Sequence, residues 1–229
     1  TRGWLQDAAH DDELPAITTQ MVTEATSKFK QKTALGIDRI HPRVWAQCSE
    51  QSLPTLARLL EQAEYAIALP TQLSLLTYVL LSKPEGGDRP IAQLPTLVRV
   101  WERVRLPLMQ QWMRQHARDY DWACEGRSSE AAAWQQLVEA EALPRCADGA
   151  TAPGRASLLL DLAKCFERVQ LVHVWKWGLY WGIPKKLLRM ILVTYRMTRR
   201  LSCAGCFSRG VEVVTAIVPG SCFAIAILH

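Results

Sequence analysis

A mixed α+β fold is what this sequence predicts, and three observations predict it. Residues 52–68, SLPTLARLLEQAEYAIA, space their apolar side chains for one face of a helix. Residues 73–82, LSLLTYVLLS, form a short apolar run dense in branched and aromatic side chains, as a strand requires. Beyond the loop CADGATAPGR at 146–155, the pattern changes to strand, helix, helix and hairpin. Apolar residues make up 49% of the 229 residues, which excludes general disorder and is enough for a real core.

The elements follow in order. A first helix is expected over 19–30, and then comes KTALGIDRIHPRVW, where Gly36 can take a backbone angle other residues resist and Asp38 can accept local amide hydrogens. The amphipathic helix of 52–68 leads into the strand of 73–82. KPEGGDRP follows as a polar loop bent at Gly86 and Gly87, and a helix from residue 97 is expected to bend near Pro107. Another helix is expected over 128–142. Past the loop, 157–162 reads as a strand, 169–180 and 184–197 as helices split at Gly182, and Leu201 pairs with 211–218 as a hairpin across GCFSRG.

Lysine and arginine outnumber aspartate and glutamate by 27 to 22, a net charge of +5 that speaks to association more than to fold. The positive field is local: PKKLLRMILVTYRMTRRLSCAGCFSR, residues 184–209, holds seven basic residues and no acidic one. Either an ordinary solvated face or a surface that tracks phosphates explains such a run. The seven cysteines form no regular framework, and Cys203 and Cys206 alone carry CxxC spacing, readable as a metal or redox pair or as small residues beside a turn. Trp175, Trp177 and Trp181 read as core rather than as stacking platforms. No signal peptide opens the chain, and its longest strongly apolar stretch, AIVPGSCFAIAIL, has 13 residues and is too short for a bilayer, so the expectation is an intracellular protein, nuclear or cytoplasmic, with no membrane partner. Both ends read as cut.

Candidate chemistry centres on ASLLLDLAKCFERVQ, residues 156–170. An aspartate at the end of an apolar strand is rigidly placed, as a magnesium ligand must be. The competing reading of Asp161 is a helix cap. Lys83 and Arg89 flank the glycine bend of LSKPEGGDRPI, a point charge and a planar fork for phosphoryl oxygens, or else incidental charges on a solvated tip. In Val218-Pro219-Gly220-Ser221, Gly220 allows a base or strand to approach the backbone, or simply makes a turn.

The order LLSKPEGGDRPIAQLPTLVRVWERV, SLLLDLAKCFERV, AIVPGSCFAIAIL resembles the reverse transcriptase domain of non-LTR retrotransposons and group II intron-like elements, and KTALGIDRIHPRVW resembles its lead-in. The resemblance runs from about Lys32 to the end of the chain. It implies a partial right-hand polymerase: an N-terminal helical extension over 1–72 leading into fingers, fingers over 73–155, and the first half of a palm over 156–229. It implies that Asp161 is a catalytic carboxylate and ligand of two Mg²⁺ ions, or of Mn²⁺ in their place. Phe166 would lie beneath the sugar of a deoxynucleoside triphosphate, Lys83 and Arg89 would meet its phosphates, and Gly220 with Ser221 would contact template and primer. The implied partners are an RNA template and a DNA or RNA primer.

Departures from the family pattern are specific. Glu167 stands where an aspartate is common, Ala216 and Pro219 replace a glycine and a glutamine, and Ala224 replaces a serine. The family's second pair of adjacent aspartates lies beyond the residues given, so the expectation is a fragment of an RNA-directed DNA polymerase, inactive by itself. The alternatives are a catalytically dead relative that binds only RNA or protein, and an unrelated phosphotransfer domain with Asp161 as acceptor.

Overall fold

The computed structural model describes residues 13–124, 126–141, 160–203 and 205–228. The fold is mixed α+β, with one sheet and several helices among these residues. The expected loop at 146–155 and residues 157–159 of the expected strand lie outside them.

The first helix, α1 (Thr19–Ser27), is capped by Thr18, whose hydroxyl accepts the amide of Met21, and it buries Val22 and Ala25. A short 3-10 turn at Pro42–Gln47 precedes α2 (Ser52–Ala66), which buries Leu56 and Leu60 as its apolar spacing requires. The strands β1 (Leu75–Ser82) and β2 (Asp88–Gln93) then form an antiparallel hairpin, Tyr78 opposite Ala92 and Leu81 opposite Arg89. Gly86 and Gly87 have φ of 92° and 81°, the left-handed turn that only glycine takes without strain.

The long helix α3 (Thr96–His116) runs through Pro107 and buries Val98, Trp101, Val104, Met109 and Trp112. Its start is fixed from a distance. Asp38 accepts the Thr96 amide at 2.6 Å and the Thr96 hydroxyl at 3.0 Å, besides the local amide of Ile40. A Cβ on Gly36 would meet the Leu94 carbonyl oxygen at 2.3 Å, so close approach rather than an unusual angle requires glycine there. Helix α4 (Ser129–Glu141) buries no residue.

After the short α5 (Cys165–Arg168) come α6 (Leu171–Tyr180) and α7 (Lys185–Tyr195), which pack together. At Gly178 a Cβ would lie 2.8 Å from Leu188, so the missing side chain sets how closely they meet. The strand β3 (Thr198–Cys203) pairs parallel with β1, and β4 (Cys206–Phe207) returns antiparallel on its outer edge, giving the order β2-β1-β3-β4. Of the expected hairpin over 211–218, one bridge forms, Val211 to Arg199. Helix α8 (Ala224–Leu228) ends the described chain.

Leu76, Val98, Val100, Trp101, Leu187, Leu188, Ile191, Tyr195, Ile217 and Phe223 form one core between the sheet and the helices. Two of the three tryptophans expected in it are not there. Trp177 and Trp181 are 51% and 42% exposed, because α6 turns Leu171, Val174 and Gly178 inward. Among the described residues, no helix is long and apolar enough to cross a membrane.

Candidate functional site

The site expected around Asp161 is built from segments far apart in the chain. The Phe166 carbonyl accepts the Ile217 amide at 2.9 Å, and the Val169 carbonyl accepts the Ala216 amide at 2.8 Å. A bridge between Gln170 and Thr215 extends this seam. Four residues past Ala216, Gly220 approaches β2 so closely that a Cβ on it would lie 3.5 Å from the Ala92 carbonyl oxygen. That is ordinary contact, and the φ of 102° is what requires glycine at this turn. The stretch around Phe166, the turn at Gly220 and the β1–β2 hairpin therefore adjoin one another.

Asp161 is not held as a strand would hold it. Residues 160–162 belong to no strand, and Leu160 and Leu162 are 80% and 71% exposed. Residues 160–162 pair with no strand of the sheet, although the outer edge of β2 has no partner strand among the described residues. Nor does Asp161 cap a helix. The N-cap position of α5 is Lys164, in left-handed backbone with φ of 54°, and no side chain caps that end. Asp161 is exposed, while Phe166 is half-buried against the core.

Lys83 and Arg89 are exposed at the end of the β1–β2 hairpin, whose turn is closed by the Lys83 amide donating to the Gly87 carbonyl at 2.9 Å. Strand alternation puts Arg89 with Leu81 on one face of the sheet and Tyr78 with Ala92 on the other. Arg199 lies over the Tyr78 ring, buried on that second face, and donates to the carbonyl of Ala216, whose amide donates to the Val169 carbonyl at the end of α5. Burial raises the Tyr78 phenol above its ordinary value, and the positive charge of Arg199 partly offsets that.

Ser221, expected to contact template or primer, faces inward. It is buried, and its hydroxyl donates to the Glu102 carboxylate at 2.6 Å. The Cys222 amide donates to the other oxygen of Glu102 at 3.2 Å, and the Tyr195 hydroxyl donates to the Ser221 oxygen at 3.2 Å. Glu102 is fully buried on α3 with no ion pair of its own among the described residues. Burial pushes its carboxyl up to about 7, with the Ser221 and Cys222 donors pulling the other way. Tyr195 is pushed well above its ordinary value, first by burial and then by Glu102.

Sequence reasoning missed Glu102. Its signal was there to read, a single acid inside VRVWERVRL whose flanking valines and tryptophan all turn into the core.

The basic run of 184–209 is neither a freely solvated face nor a phosphate-tracking surface along its whole length. Arg189 is buried over the Trp175 ring at 5.0 Å, Arg199 lies over Tyr78 at 5.6 Å and donates to the Tyr195 and Ala216 carbonyls, and Arg200 lies over Phe207 at 4.0 Å. These guanidinium groups brace the fold. Among the described residues no three His, Cys, Asp or Glu side chains are grouped to hold a metal ion. No family model matches the chain, and no curated protein matches it.

Proposed function

We propose that this chain is part of an RNA-directed DNA polymerase of the reverse transcriptase type, with 73–155 as fingers and 156–229 as the first half of a palm behind the N-terminal helices. One observation carries the reading: the three stretches that bear the resemblance, distant in sequence, meet through the Phe166–Ile217 hydrogen bond and the approach of Gly220 to Ala92. In this reading the exposed Asp161 carboxylate faces the reaction, and the half-buried Phe166 supplies a firm aromatic surface beneath a deoxyribose. Lys83 and Arg89, exposed on a glycine-bent hairpin, would offset the charge of a triphosphate from the hairpin tip, Arg89 reaching round from the face opposite Tyr78. Gly220 presents bare backbone to template and primer, and Ser221 anchors that turn from behind through Glu102.

The described residues do not by themselves make a two-ion centre. Asp161 offers one carboxylate, and a pair of Mg²⁺ ions needs several carboxylates to clamp the attacking and leaving oxygens. What its own residues contribute is positioning and charge neutralisation.

The test is primer extension by the full-length natural protein, on an RNA template with deoxynucleoside triphosphates and Mg²⁺. Asp161→Ala is expected to abolish synthesis while leaving primer–template binding in place. Synthesis that survives the substitution overturns the reading.

A second reading, a catalytically dead relative that only binds RNA or protein, is favoured by a cavity of about 630 Å³ away from Asp161. Trp112, His116, Arg118, Tyr120 and Trp181 line it, and Arg118 lies 5.9 Å and 5.6 Å from the Tyr120 and Trp181 ring centres. The exposed Tyr120 and Trp181 rings, with a cation between them, suit unpaired bases. Under this reading RNA binding survives both EDTA and Asp161→Ala, and Tyr120→Ala weakens it.

A further inference from the structure

We propose that Cys203 and Cys206 form a reversible dithiol at the tip of the β3–β4 hairpin, a site of thiol–disulfide exchange with small acidic disulfides such as oxidised glutathione. This stands apart from the polymerase reading and uses none of its residues.

The pairing register carries the inference. Cys203 lies directly opposite Cys206 in the antiparallel ladder, and opposed residues turn their side chains to the same face. Opposed Cα atoms in such a ladder are about 4.5 or 5.5 Å apart. Both values fall within the roughly 4.4–6.8 Å that a disulfide spans. Gly205, with φ of 80°, makes the tight reversal that produces this opposition. CxxC spacing alone could not distinguish such a tip from two cysteines on successive turns of a helix.

Access and anchoring agree. Both thiols are free and exposed, whereas Cys124 is buried and Cys48, Cys165 and Cys222 are half-buried. The hairpin is held independently of the cysteines. The Ser208 amide donates to the Leu201 carbonyl at 2.9 Å, the Leu201 amide donates to the Ser208 hydroxyl at 2.9 Å, and Arg200 stacks on Phe207. Folding thus holds the two sulfur-bearing residues together before any bond forms. The stretch 198–209, TRRLSCAGCFSR, contains three arginines and no acid. Arg199 and Arg200 are engaged within the fold, and the exposed Arg209 is the one whose charge is open to the carboxylates of glutathione.

The chemistry balances without a further reactant. One cysteine, as thiolate, attacks a sulfur of oxidised glutathione, forming a mixed disulfide and expelling one glutathione thiolate. The second cysteine then attacks the protein-side sulfur of that mixed disulfide and expels the other. The two cysteine thiols are oxidised, the glutathione disulfide is reduced, and the two protons end on two molecules of glutathione. Excess reduced glutathione reverses both steps.

Trypsin cleavage after Arg200 and Arg209 releases both cysteines in one peptide, LSCAGCFSR. The native chain is equilibrated in buffers of varied reduced and oxidised glutathione, quenched with an alkylating agent, digested and weighed. The expected product is the unalkylated peptide lighter by the two hydrogens lost. With Cys203→Ser or Cys206→Ser, a persistent glutathione adduct should replace it. The same titration in denaturing urea should need a buffer about tenfold more oxidising to reach half conversion, because the folded hairpin no longer aligns the thiols. Glutathione adducts accumulating on the unaltered chain, a peptide that stays fully reduced, or equal conversion in urea would each overturn the proposal.

Discussion

Helix α3 carries two buried acidic neighbourhoods, and they are built in opposite ways. Toward α2, Glu64 is matched by a cation: the Arg105 guanidinium donates to both of its oxygens at 2.6 and 2.5 Å, and the Trp101 indole donates to it at 2.7 Å. Arg105 also donates to the Pro15 carbonyl, tying down the start of the described chain. Toward the Gly220 turn, Glu102 has no ion pair among the described residues: its donors are the Ser221 hydroxyl and the amide and thiol of Cys222, with the charge of Arg99 acting on it more weakly. The first arrangement is a structural bolt with its charge neutralised. The second leaves a carboxylate whose charge state is open to pH, and it sits behind the turn that the candidate site needs.

The largest expected effect comes from breaking the bolt. Arg105→Met removes the cation and strands Glu64 among apolar groups, a loss of about 3–5 kcal/mol. Denaturant unfolding should show it as a lower midpoint with an unchanged slope. The double change Glu64→Leu with Arg105→Met should recover most of that loss, since it is the unpaired charge that costs, not the absence of the pair. A double variant as unstable as the single one would show that packing dominates there.

The other neighbourhood should respond to pH. Glu102 has its carboxyl raised from an ordinary 4.5 to about 7 in the folded chain, so the folded state holds its proton where the unfolded state has lost it. Its contribution is fully present below pH 4.5 and is lost as the pH rises through about 7, a change on the order of 3 kcal/mol. Glu102→Gln resembles the protonated form and should flatten this slope, matching the parent near pH 5 and exceeding its stability near pH 8. Parallel stability curves for the two chains would show that Glu102 keeps an ordinary affinity for protons.

This contrast also marks how far the sequence could be read. The strand at 73–82 and the helix at 52–68 were legible because each satisfies a local rule, a branched apolar run or helical spacing, and the structure holds β1 and α2 within those bounds. The glycine-bent loop was legible because Gly86 and Gly87 occupy positions that other residues resist. Residues 160–162 were misread because the local pattern, leucine around aspartate, is strand-like. Whether a strand forms depends on pairing with a partner elsewhere in the chain, and a local pattern does not encode that pairing. Asp38 was read as a local acceptor, and its bonds to Thr96 were invisible because spacing along the chain does not encode a partner 58 residues away. Glu102 belongs with Asp38. Its role depends on Ser221, 119 residues on, and no window of sequence contains both.

The smallest expected effect probes the same turn from its other end. Ala216 has φ of 79°, a left-handed conformation in which a Cβ crowds the following carbonyl. The position is nonetheless fixed from both sides, by the Ala216 amide donating to Val169 and by Arg199 donating to the Ala216 carbonyl at 2.8 Å. Those bonds hold alanine where glycine would sit without strain, and glycine is the residue the resembled motif carries there. Ala216→Gly should therefore stabilise the fold, by about 1 kcal/mol of relieved strain less the extra entropy that glycine gives the unfolded chain. The gain should be the same at pH 5 and pH 8, because Ala216 carries no charge and its bonds do not involve Glu102. A gain confined to one pH would instead show that the strain at Ala216 and the proton on Glu102 are coupled, with Val218 to Ser221 moving as one lever between them.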